Sequence, residues 1–144
     1  MAKAKYEAKR VINGTFGTVE IDGEDIMEVV AFQAKDEYGK EAISQCGVIN
    51  KGYKITSIEG KGSVKVNKIN SRMIKKIGRQ IREGKTPTFT LTGTLADPDS
   101  FGSEKIAFTG VIFDDLTLFD FENGTLGTVE MPFTYEDFML LDLI

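Results

Sequence analysis

Three stretches carry residue types that chemistry uses, and spacing decides what each can do. "GRQIREGKT" at residues 78–86 ends like a phosphate-cradling loop. Such a loop has four residues between its glycines and precedes a helix, so that backbone N–H groups and the helix N-terminus face the phosphate. Here five residues separate Gly78 from Gly84, and the stretch lies inside and at the end of a helical pattern. "DPDSFG" at residues 97–102 opens like a calcium loop, but Phe101 stands at the fifth position and Phe108 where the bidentate acid belongs. It reads as a solvated polar turn. Cys46 is the only cysteine, lies in a glycine-containing loop, and has no histidine to activate it anywhere in the chain. It reads as incidental, and a single cysteine allows no intramolecular disulfide.

The chain has 144 residues with neither histidine nor tryptophan. Without histidine the commonest general base and metal ligand are missing, so catalytic triads, zinc hydrolysis and most metal-dependent redox chemistry are disfavoured. The expectation is a protein that is not an enzyme, with no catalytic, cofactor-binding or metal site and no cofactor. Two Asn-Gly-Thr phrases have the form of glycosylation sequons and carry no meaning without a secretory route. The first ten residues, "MAKAKYEAKR", lack the apolar run of a secretory signal, and no apolar stretch approaches membrane-spanning length; a soluble protein of a reducing compartment, without membrane anchoring, is expected. Charge is split along the chain. Residues 1–96 hold 17 Lys and Arg against 11 Asp and Glu, and residues 97–144 hold 1 against 11. Opposed charges of this kind suit a charged partner or further copies of the same chain.

These features sit on an alternating β pattern that fits one domain, 1–144. Residues 1–12 read as a basic, flexible arm. Residues 15–21 read as a strand, Asp22-Gly23 as a hairpin turn, and residues 25–34 as a strand apolar on both faces. Residues 35–52, with three glycines and mixed polarity, read as a long excursion of the kind that is functional or interface-forming. Residues 53–68 return to a strand with Val64 and Val66 on one face. Asn70 or Ser71 caps one helix, about residues 71–83, which ends at Gly84. Its Met73, Ile74, Ile77 and Ile81 form an apolar stripe, and Arg72, Lys75, Lys76, Arg79 and Arg82 a cationic face. That face reads as solvated or as a protein contact rather than a phosphate-binding one, since the chain is acidic overall and no aromatic residues interleave the basic ones. Further strands follow at 88–95, 105–115, 116–122 and 128–138. Pro132 marks an edge or a bulge. The tail at 138–144 is apolar to its end and must either fold back or dock on a neighbour. "NGTFGTVEI" at 13–21 and "NGTLGTVEM" at 123–131 are two turn-plus-strand solutions to one local problem. A sharper reading has them paired or in equivalent places of an assembly.

The order of these elements, with "GTVEIDGEDIMEV" near the start, the helix followed by "GKTPTFTLTGTLADPDSFGSEKIAFTGVIFD", and the ending "EMPFTYEDF", resembles phage tail tube proteins of the PBSX, or XkdM, type. The resemblance covers residues 14–138. It implies a mainly β fold, a β-sandwich or barrel-like tail tube domain with one flanking α-helix. It also implies self-assembly into stacked hexameric rings that form the hollow inner tube of a contractile phage tail, a prophage element or a tail-like bacteriocin. Implied partners are the same protein, the tail sheath protein, the tape-measure protein and baseplate components, with DNA only as passing cargo in a true phage. The implied location is the virion tail or tail-like particle, made and assembled in the bacterial host cytoplasm. Intersubunit contact is then expected at Lys40, Ile43, Val48, Ile49, Tyr53, Phe138, Leu140, Leu141 and Ile144, in segments that become ordered on assembly. The alternative class is a monomeric β-barrel that binds a small ligand or single-stranded nucleic acid.

Overall fold

The computed structural model describes residues 5–144; the first four residues of the expected basic arm lie outside the described residues. Strand β1 (Gly17–Ile21) buries Val19 and Ile21 and turns outward between them. It starts later than its sequence pattern, because the Asn13 side chain accepts from the Thr15 N–H and holds Gly14–Phe16 in a 3-10 turn. Asp22 and Gly23, at φ 50° and 83°, return the chain onto the two-residue β2 (Glu24–Asp25), as a two-residue hairpin of primed type requires.

The expected strand at 25–34 is displaced. Residues 26–28 form a turn, and β3 runs over Val29–Ile43, so most of the expected excursion at 35–52 is strand. It pairs antiparallel with β4 (Gly52–Asn67), leaving only residues 44–51 as the tip of a long hairpin. Of the three glycines that suggested a loop, Gly39 stands at a bulge between the strands, Gly47 turns the tip at φ 76° and Gly52 begins β4. Residues 72–82 are helical, but not uniformly α: a π segment, Ile74–Gly78, precedes α1 (Arg79–Arg82). Asn70 Oδ1 accepts from the Arg72 N–H at 3.1 Å as the cap. Gly84, at φ 81°, ends the helix, with its N–H bonded to Ile81 O and that of Lys85 to Gln80 O. The wider π turn shifts the angular phase, so Ile77 is buried while Ile81, expected in the same stripe, is exposed.

Strands β5 (Phe89–Leu95) and β6 (Glu104–Phe113) follow as expected, but residues 116–122 form no strand. The pattern at 128–138 divides at Glu136 into β7 (Thr128–Tyr135) and β8 (Asp137–Asp142). The eight strands form one sheet in the order β2-β1-β5-β6-β7-β4-β3, with β8 added on β6. β6 is the hinge of this arrangement. Its first half pairs with β8, and Ile112 and Phe113 pair with β7; Gly110, at φ 65°, makes the bulge between the two partners. The sheet curls until Phe32 of β3 stacks between Phe108 of β6 (5.9 Å) and Phe133 of β7 (5.8 Å), a sandwich closed by aromatic packing. Ile77 from the helix, with Val64, Leu91 and Val111, completes the core.

Cross-strand pairing explains the glycines of "EGKGS". Gly60 faces Tyr135 and Gly62 faces Phe133, and each ring lies over the glycine opposite. The two NGT phrases each precede a strand that turns alternate residues inward, Val19 and Ile21 buried in one and Val129 partly buried and Met131 buried in the other, but the strands do not pair with each other.

Candidate assembly surface

The hairpin of β3 and β4 outruns the core. From Asp36 and Gly60 outward its residues have little beneath them, yet one face is apolar. On the core side, Phe32 faces Val64, Asp36 faces Gly60 and Tyr38 faces Ile58. Beyond Gly39 the register slips: Lys40 faces Ile55 rather than Thr56, whose hydroxyl donates to Gly39 O at 3.3 Å. This bulge keeps Ile55 and Tyr53 on the face of Ile58, from which strict alternation would have turned them. Tyr38, Ile58, Ile55 and Tyr53 are all more than half exposed. The opposite face is charged, where Lys61 reaches Glu37 at 3.3 Å and Glu59 at 3.5 Å. The hydrogen bond to Glu37, then its charge, raise the Lys61 pKa. The ribbon is anchored at its base by Tyr135, whose hydroxyl donates to Asp36 Oδ1 at 2.7 Å. Burial first, then the Asp36 hydrogen bond and charge, hold that hydroxyl well above the usual tyrosine range.

Besides the two-residue β2, which ends the strand order, two longer strand edges are open among the described residues. β3 has β4 on one side only, over 15 residues, and β8 has β6 on one side only. Such edges template pairing with another chain unless something covers them. Where β3 faces β1 without hydrogen bonds, a cleft of about 500 Å³ opens, lined by Val19, Phe32, Ala34, Ile106 and Phe108 among others.

Lys40, Ile43 and Tyr53 lie in the outer hairpin and Val48 and Ile49 at its tip, with Ile49 99% exposed. Phe138, Leu140 and Leu141 lie in β8 and Ile144 follows it; all are exposed. The expected contact residues therefore fall in two places. The hairpin places fall in or between β3 and β4, and the tail places in or just after β8. The tail folds back by main-chain pairing, Phe138 against Phe108 and Leu140 against Ile106, without burying its side chains. The cationic helix face also divides. Arg72 pairs with Glu24 (3.7 Å) and Glu28 (3.6 Å) and Lys76 with Glu24 (3.2 Å), so these two fasten the helix to its own domain. Lys75, Arg79 and Arg82 form no ion pair among the described residues. The arm is likewise fastened: Arg10 donates to Asp99 O and lies over Phe101, and the Asn13 N–H donates to the buried Asp97.

Sequence reasoning missed Tyr38, Ile55 and Ile58, because their shared face exists only through the bulge. It missed Phe119 and Phe121, placing them in a strand; both are about four-fifths exposed, edge to face at 5.5 Å. Asp97 was read as part of a solvated turn, but it accepts from the N–H groups of Asn13 and Asp99 and ties that turn to the arm. Among the described residues no group of three or more His, Cys, Asp or Glu could hold a metal ion, and no helix is long and apolar enough to cross a membrane.

A curled β-sandwich with long open edges and a projecting, half-apolar ribbon defines a tail-tube-like structural subunit. The chain belongs to the family described as Phage tail tube protein, which matches residues 4–142. It is 30% identical over 135 residues to the Phage-like element PBSX protein XkdM of Bacillus subtilis (strain 168), covering 92% of this chain and 91% of that protein. In fold it is similar to a chain of the anti-feeding prophage tube terminating cap, with a TM-score of 0.73 at 9% identity over 99% of this chain and 96% of the other. It is also similar to a chain of the sheath-tube complex of an extracellular contractile injection system in its extended state, with a TM-score of 0.69 at 11% identity over 94% and 95%. Family and fold do not favour the monomeric binding barrel.

Proposed function

We propose that this chain is the repeating subunit of the inner tube of a contractile tail or tail-like particle, and that six copies close a ring whose stacking makes a hollow conduit. The observation that carries the reading is the 15-residue outer edge of β3, continuous with a ribbon whose apolar face has nothing over it. A closed ring removes such edges by pairing each with the next copy. In this reading β3 and β4 supply lumen wall and intersubunit pairing, while the hairpin tip and the β8 tail bridge copies. Lys75, Arg79 and Arg82 remain available to an acidic neighbour or to a sheath. Sheath, tape-measure and baseplate proteins are the expected companions in a virion or tail-like particle assembled in the host cytoplasm, and the protein acts by shape rather than catalysis. Negative-stain microscopy and light scattering of the purified full chain test this. Rings or tubes about as wide as a phage tail are expected; a strict monomer at high concentration, even with a sheath or baseplate initiator present, overturns it.

A further inference from the structure

The segment between β6 and β7 is the least explained part of the surface. Residues 114–127 carry four acids, Asp114, Asp115, Asp120 and Glu122, and no lysine or arginine. Leu116 holds the segment against the helix, its Cδ2 3.4 Å from where a Cβ at Gly78 would lie. Beyond it Leu118, Phe119, Phe121 and Leu126 point to solvent, three of them more than three-quarters exposed. Three aromatic or large aliphatic side chains standing clear of an acidic backbone, with no strand partner, form an unpartnered surface.

Its complement lies at the other end of the same sheet. The segment runs into β7 at Thr128, which pairs with Asn67 at the inner end of β4, while the hairpin tip lies just before Gly52 at the outer end. Sixteen residues of β4 separate the two, about 50 Å of extended chain, so one molecule cannot bring them together. The outer hairpin is apolar on one face and, between residues 40 and 54, carries Lys40, Lys51 and Lys54 against Glu41 alone. Lys40 stands 5.7 Å over the Tyr53 ring, so charge and apolar surface share that face.

We infer that the acidic, aromatic segment at 116–126 is the landing surface for the outer β3–β4 hairpin of a second copy in the next ring, with Phe119 and Phe121 against the Tyr38–Ile58–Ile55–Tyr53 face and Asp120 and Glu122 toward Lys40, which shares that face, and Lys51 next to the tip. The inference rests on the reading of the chain as a tube subunit and names the partner surface that reading leaves open. A contact between different patches at opposite ends is heterologous, and one that does not close into a ring propagates along an axis, as stacking requires. The charges add direction and speed of encounter; the buried aromatic rings hold the contact.

Zero-length carbodiimide coupling of assembled full-length protein, read by mass spectrometry, is the test. Peptides joining Lys40 or Lys51 to Asp120 or Glu122 are expected in tubes and absent from dilute protein. Asp120→Lys with Glu122→Lys, both exposed and outside the core, should reduce sedimentable tubes about tenfold or more at low salt, and adding Lys40→Glu with Lys51→Glu should restore them. The neutral pair Asp120→Asn with Glu122→Gln should weaken assembly less and remove its salt dependence. Tubes whose hairpin lysines couple only elsewhere, to β8 for instance, or a charge-reversed chain that assembles like the parent, overturn the landing surface and leave the tube reading intact. Failure of the parent chain to assemble overturns both.

Discussion

At the scale of single residues the fold rests on close fits between glycine and aromatic side chains. A Cβ at Gly62 would collide with Gln33 O and stand 2.6 Å from Phe133 Cζ. Gly62→Ala should therefore cost about 1–3 kcal/mol, measured as a lower denaturant midpoint, with the hairpin base loosened. Tyr135 fastens that base to Asp36, and its hydroxyl holds its proton more tightly folded than unfolded. The sign follows: the contribution is present at neutral pH and is lost as pH rises above about 10, where the unfolded chain ionises first. Tyr135→Phe should lower stability by about 1–2 kcal/mol at neutral pH and flatten the alkaline fall, read by urea unfolding across pH. None of this was legible beforehand, because a glycine in a strand pattern reads equally as a turn until its cross-strand partner is known.

At the scale of elements, the alternating strands were plain in the sequence wherever one face is buried, as in β5 and the inner half of β4. They were hidden where both faces are exposed, since residues 35–43 have no core to impose a period. Residues 116–122 show the converse: alternation without a neighbouring strand gives no ladder. Gly78 stands inside the helix, where a Cβ would meet Leu116 and Ile74 at ordinary contact distances, 3.4 and 4.0 Å. Gly78→Ala should stabilise the helix by up to about 1 kcal/mol, seen as a higher melting temperature. β8 gives the opposite contrast. Its residues are exposed, so removing residues 139–144 should change the thermal midpoint little while strongly reducing sedimentable particles. Unchanged tube growth would refute a docking role for the tail.

At the scale of the whole molecule, the split of charge into a basic first part and an acidic last part was visible in composition, but not its placement. The structure puts an excess of lysines on the outer hairpin and acids on the segment at the opposite end of the sheet, because β4 spans the distance between them. Tube growth should accordingly slow as salt is raised from about 0.05 to 0.5 M, followed by light scattering, since the screening length falls from about 14 Å to about 4 Å over that range. The order of elements was enough to suggest the tube fold, whereas the open cleft beside β3 and the anchoring of the arm through Asp97 depend on how the sheet curls. The central claim is that copies of this chain complete the strand edges a single copy leaves open. Amide hydrogen exchange of the full chain, dilute and assembled, tests it most directly. Peptides from β3 and β8 should gain protection on assembly, while those of the already paired β5 change little; rings or tubes in which β3 and β8 exchange as fast as in the dilute protein would contradict it.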